Sequence, residues 1–330
     1  MPPSSERLCD RFGRVIDYLR LSVTDQCNLC CPYCRPAGGH PSRAEGPLLT
    51  DDEIVGLLQE LVALGIGRVR ITGGEPLLRP RLPDLVARIA AMDGVRDLSL
   101  TTNGILLPGR AAELRRAGLQ RINISLDTLQ RERFRKISGQ DALTRVLAGV
   151  QEALTVGLSP VKLNVVVMRG LNDDELPHFA RLTQGSPIHV RFIELMPIGE
   201  ARSFSGERHV SIAEMKRRIG SLEKVSDADR PTGWGPAVYF RKPGALGTLG
   251  FIGAMTDRFC HSCNRLRLTS GGTLLSCLAQ SGQGMDLRPL LGHRRSLRAA
   301  VRQVVLTKGE GHRMHQPSGE LQRRMCSVGG

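Results

Sequence analysis

Tyr18-Leu19-Arg20-Leu21-Ser22-Val23-Thr24-Asp25-Gln26-Cys27-Asn28-Leu29-Cys30-Cys31-Pro32-Tyr33-Cys34 sets a short apolar, β-branched run directly against a loop with four cysteines. The run predicts a buried strand over Tyr18 to Val23. Comparable runs recur at Arg68 to Thr72, Leu98 to Thr102, Arg121 to Leu126, Val161 to Val167 and Val190 to Leu195. Between them, Thr50 to Leu64, Arg81 to Met92, Ala111 to Ala117, Ala142 to Thr155 and Asp174 to Thr183 carry apolar residues at helical spacing. Thr50 and Glu53 form a capping-box pattern for the first of these helices. Strands alternating with helices over roughly 200 residues imply repeated βαβ units and a parallel sheet, doubly wound or curled into a barrel. In both arrangements ligands sit at the carboxyl ends of the strands. The Cys27 group, Gly73-Gly74-Glu75-Pro76, Asn103-Gly104, Asp127 and Met196-Pro197 all follow predicted strands.

The chain has 330 residues, 41% hydrophobic and 24% charged, and a chain of this size buries about three quarters of its unfolded surface without disulfide staples. No apolar run approaches the roughly 20 residues of a membrane-spanning helix, and the first residues lack a signal-type apolar segment. A soluble, cytoplasmic protein is expected. Lys and Arg number 46 against 32 Asp and Glu, a net charge of +14, which favours anionic partners. Aromatics are only 4%, and no helix-turn-helix, zinc-finger or RNA-stacking signature is present, so a small polyanion such as a nucleoside triphosphate fits better than nucleic acid. After about residue 225 the alternation gives way to an irregular passage with Pro, Gly and Trp234. Two regions are therefore expected, 1–230 and 231–330.

Nine cysteines in a cytosolic chain point to metal or redox chemistry rather than disulfides. Cys27, Cys31 and Cys34 are spaced to hold three irons of a four-iron, four-sulfur (4Fe–4S) cluster, leaving the fourth iron open. Cys27-x2-Cys30 with Cys31-x2-Cys34 could instead form a four-thiolate zinc site, although adjacent Cys30 and Cys31 would then have to bend onto one ion. Cys260, Cys263 and Cys277 resemble, in isolation, a zinc ribbon short of one ligand. Arg20, Arg68, Arg70, Lys162 and Arg191 lie on or beside predicted strands. Any one could snorkel to solvent, but five in a barrel-like sheet predict an anion inside, which Arg recognises with its two-pronged fork.

The Leu19-to-Cys34 segment together with Gly73-Gly74-Glu75-Pro76 resembles radical S-adenosylmethionine (SAM) enzymes. Phe259-Cys260-x2-Cys263-Asn264-Arg265-Leu266-Arg267-Leu268-Thr269, Cys277-Leu278 and the terminal Gly329-Gly330 narrow the similarity to the MoaA or GTP 3′,8-cyclase family of molybdenum-cofactor biosynthesis, and the likeness begins as early as Asp10-Arg11-Phe12-Gly13-Arg14. The resemblance implies an incomplete (β/α)6 TIM-type barrel, closed laterally by a carboxyl-terminal segment carrying a second 4Fe–4S cluster. It implies reductive cleavage of SAM, removal of the ribose H3′ of GTP, and C3′–C8 ring closure. It assigns SAM contacts to Tyr33, Gly73, Gly74, Glu75, Pro76, Ser125 and Met196. It assigns GTP contacts to Arg20, Arg68, Arg70, Thr101, Lys162, Arg191, Arg265 and Arg267, and a catalytic part to Gly329 and Gly330. Thr102 is the alternative to Thr101. The implied partners are an electron-donor protein, the downstream cyclic pyranopterin monophosphate synthase (MoaC) and a second copy in a homodimer.

Two departures stand out: Cys30 occupies a basic position of the family and Arg35 a Met position. Cys9 and Cys326 have no family role. The basic run from Leu287 to Arg324 reads as a solvated helix face, with steering of GTP or docking of a partner as the functional alternative. Two other classes fit parts of the pattern: a radical SAM enzyme acting on a peptide, and a zinc-dependent nucleic-acid-binding protein.

Overall fold

The computed structural model describes residues 7–34, 47–279, 284–312, 314 and 325. Gly329, Gly330, Cys326, Arg35, Arg313, Arg323 and Arg324 lie outside the described residues. Six strands, β1 (Tyr18–Ser22), β2 (Arg68–Thr72), β3 (Asp97–Thr102), β4 (Arg121–Ser125), β5 (Val161–Val167) and β6 (His189–Glu194), pair in that order, all parallel. Helices α1 (Asp51–Ala63), α2 (Leu82–Ala90), α3 (Ala111–Arg116), α4 (Arg131–Ser138), α5 (Leu143–Thr155) and α6 (Leu176–Gly185) fall between them. The capping box at α1 is formed: Thr50 Oγ1 accepts from Glu53 N, and the Glu53 carboxylate accepts from Thr50 N at 2.7 Å.

Beyond α7 (Ser205–Arg208), α8 (Ile212–Ile219) and β7 (Glu223–Lys224), the chain continues the same sheet. Strand β8 (Val238–Arg241) leads to β9 (Thr248–Ile252), which pairs parallel with β6. Strand β10 (Arg265–Leu268) crosses to the opposite edge and pairs parallel with β1, followed by β11 (Thr273–Leu275) and β12 (Met285–Asp286). The carboxyl-terminal region thus adds one parallel strand to each side of the six. The expected division at 230 falls between β7 and β8, which are themselves antiparallel neighbours. Helix α9 (Arg294–Leu306) buries Leu297, Val301, Val304 and Val305, residues at helical spacing.

Side-chain alternation decides what this sheet encloses. The outward rows, among them Leu19, Leu21, Val69, Ile71, Leu98, Leu100, Ile122, Ile124, Leu163 and Phe192, are buried in one apolar core with α1 residues Ile54, Leu57, Leu58 and Leu61. Each such side chain contributes roughly 1.5–3 kcal/mol by leaving water. Phe192 and Phe251 pack with ring centroids 5.7 Å apart and so secure β9 on β6. The inward rows are polar: Arg267, Arg20 and Arg70 are direct neighbours across β10, β1 and β2, and Ser99, Asn123, Lys162, Asn164 and Arg191 continue the same face.

The basic run is only partly a solvated face. Arg298 and Arg294 pair with Glu60 of α1, Arg288 pairs with Glu53 and donates to the carbonyls of Pro47 and Leu48, and Lys308 is buried. No helix among the described residues is long and apolar enough to cross a membrane.

Candidate active site

One cavity of about 310 Å³ is lined from all eight parallel strands and from both cysteine groups, so the sheet curls around it. Cys27, Cys31, Cys34, Cys260, Cys263 and Cys277 all border it. Arg20, Arg70, Arg191, Arg265 and Arg267 do so as well, together with Tyr33, Gly73, Gly74, Thr101, Thr102, Ser125 and Met196. Cys30 is exposed and does not border the cavity; Cys9 is also exposed.

The first cysteine loop is held from several sides. Asn103 Nδ2 donates to Asn28 Oδ1 at 2.8 Å and lies 4.0 Å from Cys27 Sγ. Gln140 Nε2 donates to the Asn28 carbonyl at 2.6 Å. Tyr33 Oη donates to Asp127 Oδ2 at 2.6 Å, while Asp127 Oδ1 accepts from Val166 N at 2.8 Å. Burial lifts the Asp127 carboxyl to about 6 against the lowering effect of those two hydrogen bonds. Burial likewise pushes the Cys31 thiol well up, with Asp127, Cys27 and Cys30 adding to it. A thiol so raised is a poor free thiolate, whereas bonding to iron removes its proton and spreads its charge.

Gly74 N donates to the Thr24 carbonyl at 2.7 Å, and a Cβ on Gly74 would stand 2.1 Å from the Gln26 carbonyl oxygen. Only glycine permits this approach of the second loop to the first. Glu75 and Pro76 lie behind the cavity wall instead of lining it. The buried Glu75 carboxylate accepts from Thr102 Oγ1 and Asn103 N, each at 2.7 Å, and from Leu77 N at 3.0 Å. Its acceptors are spent on protein donors, so Glu75 acts on the site through Asn103. Pro76 opens a 3-10 turn. Alternation places Thr101 on the inward face beside Asn123, with a buried hydroxyl lacking a hydrogen-bond partner, whereas the Thr102 hydroxyl is engaged by Glu75.

The second trio sits on the loops flanking β10 and β11. Lys308 Nζ donates to the Arg265 carbonyl at 2.9 Å and the Ser276 carbonyl at 2.6 Å. Arg14, ion-paired with Asp10, donates to the carbonyls of Cys260 at 2.6 Å, Gly309 at 2.7 Å and Glu310 at 3.1 Å. Burial pushes the Cys263 thiol up, but Arg265 and then Lys308 outweigh it and bring it down to about 6.

The cations form two storeys. Arg70 Nη2 and Arg191 Nε, which line the cavity, are buried without hydrogen-bond partners, as are Thr101 Oγ1 and Asn164 Oδ1 beside them. Burial lowers Arg20, with Arg267 and Arg70 adding to the effect, and brings Arg191 and Arg267 each to about 10. Below them, Arg68 and Lys162 do not line the cavity. Arg68 pairs with Asp17 and lies 3.9 Å from the centre of the Trp234 ring, and Lys162 Nζ donates to the Thr232 carbonyl at 2.7 Å. Trp234, which packs on Arg68, lines the cavity with Gly235 and Pro236.

The Radical SAM superfamily matches residues 21–183, and the Molybdenum Cofactor Synthesis C family matches residues 188–314. A GTP 3′,8-cyclase of Heliobacterium modesticaldum is 48% identical over 98% of this chain and 100% of its own length. The chain belongs to the GTP 3′,8-cyclase family. Cyclases of that name from Geobacter sulfurreducens (46% identical, 98% of this chain and 99% of the relative) and Pelotomaculum thermopropionicum (44%, 97% and 99%) agree. The solved structure of Streptococcus suis SuiB, at 14% identity and a TM-score of 0.56 over 89% of this chain and 69% of its own, shares the fold. This membership displaces the peptide-modifying and zinc-dependent alternatives.

As a radical SAM member the cyclase uses a 4Fe–4S cluster with SAM. The residues suit it: three thiols around one cavity supply the soft ligands of an iron–sulfur group that keeps one iron open. Among the described residues no three His, Cys, Asp or Glu side chains are gathered tightly enough for a single metal ion. Thiols that share a four-iron cube stand around a larger object than one ion. Sequence reasoning placed Asn103 at a strand's carboxyl end but did not find its hold on the Cys27 loop, Glu75's indirect role, or the parts of Arg14 and Lys308. The separation of 246 residues between Arg14 and Cys260 leaves no local signal.

Proposed function

We propose that this chain converts GTP to 3′,8-cyclo-7,8-dihydro-GTP, the entry step of molybdenum-cofactor synthesis, with a SAM-binding cluster on Cys27, Cys31 and Cys34 and a second cluster on Cys260, Cys263 and Cys277. The observation that carries this reading is that both trios and the Arg20–Arg70–Arg267 belt border one cavity. When bound, the first cluster and SAM supply one-electron chemistry able to remove a hydrogen atom from the ribose of GTP.

The chain's own residues bind, orient and shield. Gly73, Gly74, Ser125, Met196 and the Tyr33 backbone form the SAM side, with Glu75 and Asp127 fixing the loops behind it. Arg70, Arg191, Arg20 and Thr101 offer donors to the ribose and triphosphate, with Arg68 and Lys162 beneath; Arg265 and Arg267 border the second trio and the base. Such positioning is the protein's main contribution, because a reactive carbon centre must meet C3′ before anything else. Gly329 and Gly330 complete the proposed catalytic set. An electron-donor protein, a homodimer and delivery of the product to MoaC accompany the reading.

Anaerobic reconstitution followed by iron counting and incubation with SAM, reductant and GTP tests it. About eight irons per chain are expected from two four-iron clusters, with the cyclised nucleotide and 5′-deoxyadenosine formed only with reductant. A chain that consumes SAM equally without GTP and leaves GTP intact would refute the proposal.

A further inference from the structure

Lys308 is buried to 2% exposure and lines the cavity directly after α9. Its ammonium donates to the carbonyl of Arg265, two residues past Cys263, and to that of Ser276, the residue before Cys277. Among the described residues no carboxylate lies within ion-pair distance of it. A buried ammonium without a counter-ion is costly, and two carbonyl dipoles offset only part of that cost. The Lys308 charge reaches Cys263 of the second trio and favours its ionised form. Arg14, a further buried cation at this end, has the Asp10 carboxylate as its partner; Lys308 has backbone carbonyls instead.

We infer that Lys308 is a positioning and charge-setting residue for the second cluster: it fixes the spacing of the segments carrying Cys263 and Cys277 and favours the reduced state of the iron–sulfur group they hold. This rests on the second-cluster reading given above. A cluster bound by three thiolates gains a further negative charge on reduction. A positive charge fixed nearby in a low-dielectric wall favours that gain and raises the potential. Arg265 hydrogen-bonds Cys263 and, like Arg267, lines the space proposed for substrate, so the charge of both becomes shared with a bound triphosphate. Lys308, tied to backbone, keeps its charge directed at the trio whether or not substrate is present.

The test uses the full chain, reconstituted anaerobically, in an EPR-monitored redox titration. The second-trio signal is defined as the one absent when Cys260, Cys263 and Cys277 are all replaced by Ala. Lys308→Gln retains donors for both carbonyls but removes the charge; Lys308→Arg retains the charge. In the Gln variant the second-trio midpoint should move to more negative potential, by enough to lower the reduced fraction at a fixed potential roughly tenfold, with the first signal unmoved. The Arg variant should stay near the parent. Loss of about half the iron from the Gln variant alone also supports the inference, because the charge is then needed to hold the group at all. A parent-like midpoint in the Gln variant, or equal displacement in Gln and Arg, overturns it. If the triple Ala chain holds as much iron as the parent, the second-cluster reading itself falls, and Lys308's role with it.

Discussion

At the scale of single residues, the buried cations decide what the cavity accepts. Arg70 and Arg191 each have an unpartnered nitrogen in the site. A charge-assisted hydrogen bond contributes about 1.5–3 kcal/mol, so Arg70→Ala or Arg191→Ala should weaken GTP binding roughly 10- to 100-fold by equilibrium dialysis, while SAM binding changes little. Lys162 gives a pH signature. Burial, then Arg191, Arg121 and Arg70, lower it to about 5, so the ligand-free protein holds it neutral at pH 8. A triphosphate nearby would pull its pKa back up. GTP binding should therefore take up a proton above pH 5, and affinity should fall as pH rises through that window. Calorimetry in buffers of different ionisation heat would show the uptake, and Lys162→Met should abolish it. Without ligand the sign follows from the same shift: between the folded value and the ordinary 10.5 the unfolded chain carries the extra proton, so this group makes stability rise with pH.

At the scale of elements, buried carboxylates repeatedly fasten one strand's exit to the next. Glu75 grips the end of β3, Glu175 accepts from Thr128 Oγ1 and Leu129 N after β4, and Glu194 accepts from Ile212 N and from Met255 N and Thr256 N after β9. Glu75→Ala would strand three donors, each costing about 1–3 kcal/mol when buried unpaired. A lower denaturation midpoint together with reduced iron on the first trio is expected, because Asn103 loses its anchor. Gly74→Ala should be more selective: the backbone must move away from Gln26, so SAM affinity should drop at least tenfold by dialysis while far-ultraviolet circular dichroism stays unchanged; a parent-like affinity would show that this close approach is dispensable.

These elements also show what the sequence makes legible. The six strands and the long helices follow from apolar runs and helical spacing, because their outward faces must be buried. The predicted strand Val190 to Leu195 is observed as His189–Glu194, a one-residue shift. Helix α4, Arg-Glu-Arg-Phe-Arg-Lys-Ile-Ser, buries only Phe134, Ile137 and Ser138, and its two apolar residues are too few to mark a helix in the sequence. Strands β9 (Thr-Leu-Gly-Phe-Ile) and β10 (Arg-Leu-Arg-Leu) fall in the stretch where the regular alternation gives way, and nothing local says that they join opposite edges. Glu75, Asn103 and Lys308 act through partners distant in the chain, which is why the family resemblance assigned Glu75 to SAM contact and the charge pattern read Lys308 as part of a solvated face.

At the scale of the whole molecule, two cysteine groups more than two hundred residues apart in the sequence border a single cavity. Replacing Cys27, Cys31 and Cys34 together by Ser should remove about half the iron, and replacing the second trio the other half, each leaving a distinct EPR signal. Cys30→Ser should retain the full complement, since Cys30 is exposed and does not line the cavity; iron loss in that variant would instead make Cys30 a ligand. The register of β1 against β10 also bears on how the protein is made. Tyr18 aligns with Arg265, so on the ribosome the first strand waits with an open edge while most of the polypeptide is translated. The nascent molecule therefore has neither its full arginine belt nor its second set of thiols until β10 and the cysteines around it have been made, and a product terminated before them would expose a strand edge prone to aggregation in place of a working chamber.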